Sequence, residues 1–303
     1  MVIGCLPLCS CVYDEPLFEE NKLQFEETIA HDKEDLPQEE EKSEEVIFEP
    51  PTSYEIEKWM GEMENVPEVS VLLQHCEIYD YINDIQWKYN VLLPENYDEN
   101  NDYPSLYLLH GKGSDYDKWI TSLKVKKILD YYYSRGLKDI IVIMPDAGDT
   151  YYLDGYLNGI KYESYLRNIF IPTMENLYAL SMERKYKYIG GFSMGGYGAL
   201  MYSLKWGEEF SFCHAMSTPV EGKNEPLIVS TLTYIDKFAG KLPYMIFDVG
   251  DKDPFLGANL TAYYYLENLD VPYQLIIREG SHEAGFWKES LFILFENLLS
   301  FIQ

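Results

Sequence analysis

The chain has 303 residues, 47% of them hydrophobic and 16% aromatic, enough for one large domain with a sizeable core plus an appendage. With 51 acidic against 24 basic residues the formal net charge is −27; such a surface repels nucleic-acid phosphates and anionic lipid, so no nucleic-acid partner is expected. The five cysteines, Cys5, Cys9, Cys11, Cys76 and Cys213, form no CxxC pair and no His/Cys zinc spacing, so neither a disulfide framework nor a metal is expected.

From the N-terminus, Val2 to Ser10 is short and mostly apolar and ends in Leu8-Cys9-Ser10-Cys11, with Val12-Tyr13-Asp14-Glu15 following at once. A small residue before a cysteine after an apolar run resembles a bacterial lipoprotein signal with Cys11 as the lipidated residue. The early acidic residues resemble surface-export signals of such lipoproteins. The segment lacks a basic leader and its apolar run is at the low end of the ~7–15 residues of a signal core; a start upstream of Met1 accounts for both. Residues 1–11 are therefore expected to be a truncated lipoprotein signal. Residues 12–52, dominated by Glu and Asp as in Gln38-Glu39-Glu40-Glu41-Lys42-Ser43-Glu44-Glu45, are expected to be a solvated acidic spacer. This implies an extracytoplasmic enzyme tethered to a membrane by lipid without spanning it. The alternatives are a cytoplasmic protein with a frayed apolar end, and an acidic tail that binds a partner.

Residues 53–303 read as one domain. A short helix is expected over Tyr54–Met63, then two antiparallel strands, Val69–Tyr79 and Ile85–Leu93, around the polar Asp80–Asp84. Turn chemistry at Pro94–Asp98 and Asn100–Pro104 leads into a buried strand, Leu106–Leu109, ended by His110-Gly111. Helical and apolar stretches then alternate. Lys124–Tyr133 reads as helix, Ile140–Met144 as strand, Tyr162–Leu180 as helix interrupted by Pro172, and Tyr186–Ile189 as strand. Gly195–Trp206 is expected as helix, Phe210–Met216 as strand, Ile228–Phe238 as helix and Tyr244–Val249 as strand. Gly257–Leu269 follows as helix, Tyr273–Ile277 as strand and Trp287–Ile302 as the closing helix. This pattern is α/β: a mostly parallel central sheet with an antiparallel N-terminal strand pair and helices on both faces. Cys76 and Cys213 fall in strand-like runs and read as small apolar packing residues.

Gly191-Phe192-Ser193-Met194-Gly195 sits between a predicted strand and a predicted helix. A serine lifted off a sheet by so tight a turn needs its flanking residues to approach closely, so both lack a Cβ. Ser193 is then the candidate nucleophile, and the Met194 N–H, at a helix N-terminus, a candidate oxyanion donor. A serine nucleophile needs a base and the base an orienting carboxylate, in the chain order Ser, acid, His. Two histidines follow the serine. His214 lies inside a strand and reads as a core or sheet-edge residue; His282, in the loop after the last strand, is the candidate base. A zinc reading of His282-Glu283 fails because Phe286 stands where a second histidine is needed. Asp251 and Asp253, after the strand ending at Val249, both qualify as the acid by position, and Asp248 falls within the strand.

Together these residues resemble the esterase D superfamily of α/β-hydrolases, in particular its tributyrin-esterase and feruloyl-esterase members of carbohydrate esterase family 1. The resemblance runs from about Val71 to Gln303. Tyr103-Pro104-Ser105-Leu106-Tyr107-Leu108-Leu109-His110-Gly111 is similar to the family's YPxLYLLHG segment. Gly191 to Gly198 is similar to its GxSMGGYG elbow, and His282 with Trp287 to its His followed five residues later by Trp. Gly250-Asp251-Lys252-Asp253 resembles its acid loop, in which the second acidic position carries the role, which implies Asp253. The resemblance also implies that the Lys112 N–H is the second oxyanion donor and that His110 is structural. Many relatives carry an apolar residue where this chain has Lys112. The segment from Thr218 to Leu242 is shorter than in many relatives, which implies a small or open acyl pocket.

The expected activity is that of a serine carboxylesterase working through an acyl-enzyme on short-acyl, acetyl or feruloyl esters of plant polysaccharides, without a cofactor. Tyr151, Tyr152, Asp154 and Trp287 are expected to bind the substrate, a small-molecule or polysaccharide-linked ester; for the tyrosines the competing reading is surface aromatics on a loop. Alternative activities are an acyltransferase of the same superfamily, a thioesterase like S-formylglutathione hydrolase, or a binding module with a relict site.

Overall fold

A computed structural model of the chain describes residues 49–220, 230–231, 242–266 and 272–302. The signal segment with Cys11, the acidic spacer as far as residue 48, and most of the helix expected over residues 228–238 lie outside the described residues.

Eight strands form one sheet: β1 (Val71–Asp80), β2 (Ile85–Leu93), β3 (Ser105–Leu109), β4 (Ile141–Pro145), β5 (Lys187–Phe192), β6 (Phe212–Met216), β7 (Tyr244–Gly250) and β8 (Tyr273–Arg278). Their order is β1-β2-β4-β3-β5-β6-β7-β8. β1 and β2 pair antiparallel, β2 runs antiparallel to β4, and every later pairing is parallel. This is the α/β-hydrolase architecture expected from the alternating pattern.

The central strands β3 to β6 are buried along their whole length, as strands covered on both faces must be. Alternate residues feed two separate cores. Tyr107, Ile143, Ile189, Cys213 and Phe247 face one, while Leu106, Val142, Tyr188, Phe212 and Ile246 face the other. The second core is closed by α1 (Ser53–Met63), α2 (Lys118–Thr121), α3 (Val125–Ser134) and α8 (Ala284–Phe301). The first is closed by α4 (Tyr162–Tyr165), α5 (Ile171–Leu177), α6 (Met194–Lys205) and α7 (Leu256–Leu266). Among the described residues no helix is long and apolar enough to cross a membrane.

Three boundaries differ from expectation for local reasons. The helix expected over residues 162–180 is broken into α4, a π-helical stretch at Leu166–Phe170, and α5 with Pro172 in its first turn. Proline offers no N–H to the preceding turn, and the wider π turn absorbs the mismatch. Lys124 is left-handed at φ 58°, which keeps it out of α3. α1 starts on a capping box: the Glu55 N–H donates to the Thr52 hydroxyl at 3.3 Å, and the Thr52 N–H donates back to the Glu55 carboxylate at 2.8 Å.

The sheet edge that carries Asp253 and His282 is tied from beneath by a buried ion pair. Arg278, at the end of β8, donates to both oxygens of Asp248 in β7 at 3.0 and 3.1 Å. It also reaches Glu289, the Phe286 carbonyl and the Ser290 hydroxyl of α8 at 2.6, 2.8 and 2.7 Å. Burial alone would raise the Asp248 carboxyl; the Arg278 guanidinium outweighs it and holds the group down at about 2. His214, facing the same carboxylate at 3.7 Å, is too distant to bond to it, and burial pushes its imidazole toward the neutral form. It is the core histidine expected from its strand. Because the folded Asp248 is depressed, the stability it contributes is present above the ordinary value of 3.8 and is lost as pH falls toward about 2. Replacing Arg278 by Met strands a buried carboxylate and is expected to cost about 3–5 kcal/mol in urea unfolding near pH 7, with the gap to wild type narrowing over that acid interval. A gap independent of pH would show the pair carries no such load.

Candidate active site

Ser193 is the residue between β5 and α6, and its backbone is held at φ 53°, ψ −119°. A non-glycine residue at positive φ costs about 1–3 kcal/mol and persists where its surroundings enforce it. Here the enforcement is steric. A Cβ on Gly191 would lie 2.4 Å from the Gly195 carbonyl, and one on Gly195 would lie 1.9 Å from the Leu109 oxygen. The Ser193 N–H is meanwhile spent on the Met216 carbonyl at 2.8 Å. The turn therefore packs directly onto the ends of β3 and β6.

The loop after β3 lies against this elbow. A Cβ on Gly111 would sit 2.6 Å from the Phe192 ring and 3.3 Å from the Ser193 Cβ. His110 holds the loop from below. It is fully buried, and the Ala147 N–H donates to its Nε2 at 2.9 Å, so its Nδ1 carries the proton toward the Gly111 carbonyl, also at 2.9 Å. The structural role expected of His110 is the one it occupies. Lys112 follows Gly111, with its ammonium 5.4 Å from the centre of the Tyr151 ring.

His282 comes from the loop between β8 and α8. Its Nε2 is 2.9 Å from the Ser193 Oγ and its Nδ1 is 3.0 Å from the Asp253 Oδ2. The Asp253 side chain is fully buried, and its Oδ1 accepts the Phe255 N–H at 2.8 Å. Burial would raise this carboxyl. Hydrogen bonds from His282 and the Phe255 N–H, with the Ser217 hydroxyl beside them, outweigh burial and hold it below the usual value.

Spacing left Asp251 and Asp253 equal, and geometry separates them. Asp251 is exposed and accepts the Gly280 N–H at 3.0 Å, while its own N–H donates to the Arg278 carbonyl at 2.9 Å. Lys252 N–H donates to the Gly280 carbonyl at 2.9 Å. Asp251 thus laces the acid loop to the histidine loop, and Asp253 alone of the two reaches His282.

The residues expected to bind substrate divide. Tyr151 sits under Lys112, its ring 4.6 Å from that of Tyr156 and edge-on to Tyr197. Tyr152 is not at the surface: it is fully buried, its hydroxyl donates to the His110 carbonyl at 2.9 Å, and its ring fills the space a Cβ on Gly198 would occupy. It supports the loop after β3. Asp154 is likewise committed, accepting the Ser164 N–H at 2.9 Å and the Ser164 hydroxyl, so it braces the start of α4. Trp287 is 9% exposed, and its indole N–H donates to the Ser217 hydroxyl at 3.0 Å. Position along the chain placed all of these near the strand ends; side-chain direction, which decides their roles, follows from the paired positive φ values of Tyr151 (53°) and Tyr152 (59°). Ser217 was not singled out in the sequence, and its only signal is its place at the carboxyl end of β6. Among the described residues no group of three or more His, Cys, Asp or Glu side chains could hold a metal ion.

The Esterase family model matches residues 83–292, which span β2 through the first half of α8. The chain belongs to the esterase family. An acetyl esterase of Caldicellulosiruptor saccharolyticus is 23% identical over 231 residues, 65% of this chain and 84% of that one. An esterase of Mycobacterium tuberculosis is 32% identical over 138 residues, 43% of this chain but 28% of that one. Among solved structures, a ferulic acid esterase superposes with a TM-score of 0.70 at 25% identity, covering 78% of this chain and 100% of that one. The chain is thus a carboxylic ester hydrolase of the α/β-hydrolase class, and its resemblance to the esterase D superfamily stands.

The elbow sterics generate a contrast within this esterase. Gly195→Ala must push Leu109 and the turn apart; a displacement near 1 Å at the reacting atoms can cost about 100-fold, so turnover should fall at least that far. Gly61→Ala, in α1 with nothing within 4 Å of the added Cβ, should instead raise stability by roughly 0.5–1 kcal/mol with turnover unchanged. Thermal melting with ester turnover reads both; an active Gly195→Ala enzyme would contradict the steric account.

Proposed function

We propose that the esterase is a serine carboxylesterase in which Ser193 is the nucleophile, His282 the general base and Asp253 the orienting acid. The observation that carries this reading is the unbroken contact Ser193–His282–Asp253 at 2.9 and 3.0 Å, on a serine whose backbone is strained. The Ser193 Oγ attacks the ester carbonyl carbon as the His282 Nε2 takes its proton. The carbonyl electrons move onto oxygen, and the Met194 and Lys112 N–H groups donate hydrogen bonds to that oxyanion. The tetrahedral intermediate collapses, the carbon–oxygen bond to the alcohol breaks, and the imidazolium hands its proton to the leaving oxygen. Water then attacks the acyl-serine by the same path, returning the hydroxyl of Ser193 and releasing the acid.

The substrate class is short-acyl, acetyl or feruloyl esters, small or carried on plant polysaccharide. Support comes from the names of the acetyl esterase and ferulic acid esterase to which the chain is similar, and from Tyr151, whose ring lies under Lys112 of the loop after β3. An aromatic wall there suits stacking with a phenolic acyl group. We also propose that Cys11 carries a lipid and that residues 12–52 space the enzyme from an extracytoplasmic membrane surface, on the strength of Leu8-Cys9-Ser10-Cys11 and the acidic run behind it.

Ser193→Ala should lower turnover of a p-nitrophenyl ester by roughly 10⁵–10⁶-fold. Asp253→Asn should lose about 10⁴-fold, while Asp251→Asn stays within a few-fold of wild type. Equal losses at the two aspartates would overturn the assignment of the acid. A panel of acetyl, butyryl and feruloyl esters ranks the acyl group by kcat/KM, and a feruloyl ester that is not turned over would remove the phenolic reading. For the anchor, cells fed labelled palmitate should label the wild-type chain and not Cys11→Ala; label retained in the variant would reject Cys11.

A further inference from the structure

Trp287 stands where three parts of the site meet. Its ring stacks on Phe192, the residue before the nucleophile, with centroids 4.4 Å apart and planes 22° apart. It also meets the His282 imidazole in a T-shaped pair, with centroids 5.0 Å apart and planes at 88°. Phe255, two residues after the acid, meets the imidazole at 5.2 Å and 75°. His282 is therefore bracketed by two aromatic rings, one from the acid loop and one from α8.

A bracket positions a ring only if it cannot rotate itself, and Trp287 is fixed by its one polar atom. The indole N–H is a donor and nothing else, so in its 3.0 Å contact the Ser217 oxygen must accept. Ser217 is itself immobile: fully buried, at φ 51°, with its N–H donated to the Asp248 carbonyl at 2.8 Å. Asp248 is the carboxylate clamped by Arg278. A rigid path thus runs from the buried ion pair through Ser217 and the indole to the base.

We infer that Trp287, anchored through its indole N–H to Ser217, is a positioning residue for the imidazole of His282 rather than a substrate-binding one. The inference rests on the proposed roles of Ser193, His282 and Asp253. Losing the anchor lets the indole turn, and the imidazole with it, away from the line between the Asp253 Oδ2 and the Ser193 Oγ. The loss falls on proton transfer, so it appears in kcat. A residue that gripped the acyl group would show itself in KM.

The test compares Trp287→Phe, which keeps a ring and removes the N–H, with Ser217→Gly, which accepts the positive φ without strain and removes the acceptor. Each should lower kcat on p-nitrophenyl acetate about 10- to 100-fold with KM within twofold, as expected for a small misplacement of a catalytic group. Both break the Trp287–Ser217 contact, and Ser217→Gly also removes the hydroxyl beside Asp253, so the double variant should be no slower than Ser217→Gly alone. A merely structural role for Ser217 predicts that Ser217→Gly, freed of backbone strain, keeps wild-type kcat. That result, a Trp287→Phe effect confined to KM, or losses that multiply in the double variant would each overturn the inference. Ser193→Ala runs alongside: if it is inactive while the other variants match wild type, this inference alone falls, whereas turnover surviving in Ser193→Ala takes the underlying reading and this one down together.

Discussion

No side-chain atom fits between Gly191 and Gly195, and that exclusion shapes the rest of the molecule. With a Cβ on either residue the turn between β5 and α6 opens, because the added carbon would overlap the opposite backbone or the end of β3. Closed, the turn forces Ser193 to positive φ and directs α6 back beneath the sheet. The same closeness brings the loop after β3 against Ser193, so one steric constraint sets both the elbow and the loop beside it. The strain is held by parts that do not flex, since β3, β5 and β6 are buried on both faces and supported by two cores.

Asp253 and His282, the proposed acid and base, are positioned by a different device. They come from loops after β7 and β8, at the edge of the sheet, where one side of the backbone has no further strand to hold it. Three hydrogen bonds between the loops, made by Asp251, Lys252, Arg278 and Gly280, continue the pairing past the strand ends. Below them the Asp248–Arg278 pair joins β7, β8 and α8. A buried ion pair adds little net stability compared with apolar packing, yet it tolerates no rearrangement without leaving a charge unpaired. At a sheet edge that intolerance is useful, because it fixes direction where packing alone is weakest.

The sequence was most legible where chain position and chemistry coincide. Ser193 could be located because a tight turn between strand and helix needs glycine on both sides. His282 followed because, of the two later histidines, His214 lay inside an apolar strand. The alternating pattern gave the sheet and its two helical layers. Side-chain direction was not legible. Asp251 and Asp253 are two residues apart in a turn, and only the folded loop shows that one points to solvent while the other is buried against the histidine. Tyr151 and Tyr152 are neighbours of identical type, and consecutive left-handed residues send one under the Lys112 ammonium and the other beneath the loop after β3. The π-helical stretch before Pro172 was hidden for a related reason: the proline marks a break in helix hydrogen bonding but not how the chain absorbs it.

The distribution of charge follows from the same geometry. A chain of net charge −27 presents a negative field to any anion, including one developing on a carbonyl oxygen. The proposed oxyanion donors are backbone N–H groups, whose dipoles are fixed by the fold and act over hydrogen-bond distance, where a distant surface field is screened by salt. The carboxylate nearest the reaction, Asp253, has its charge taken up by His282 and the Phe255 N–H. The next one inward, Asp248, is neutralised by Arg278. Asp253 and Asp248 are thus each paired with a specific donor, while the Lys112 ammonium, in the loop after β3, lies over the Tyr151 ring.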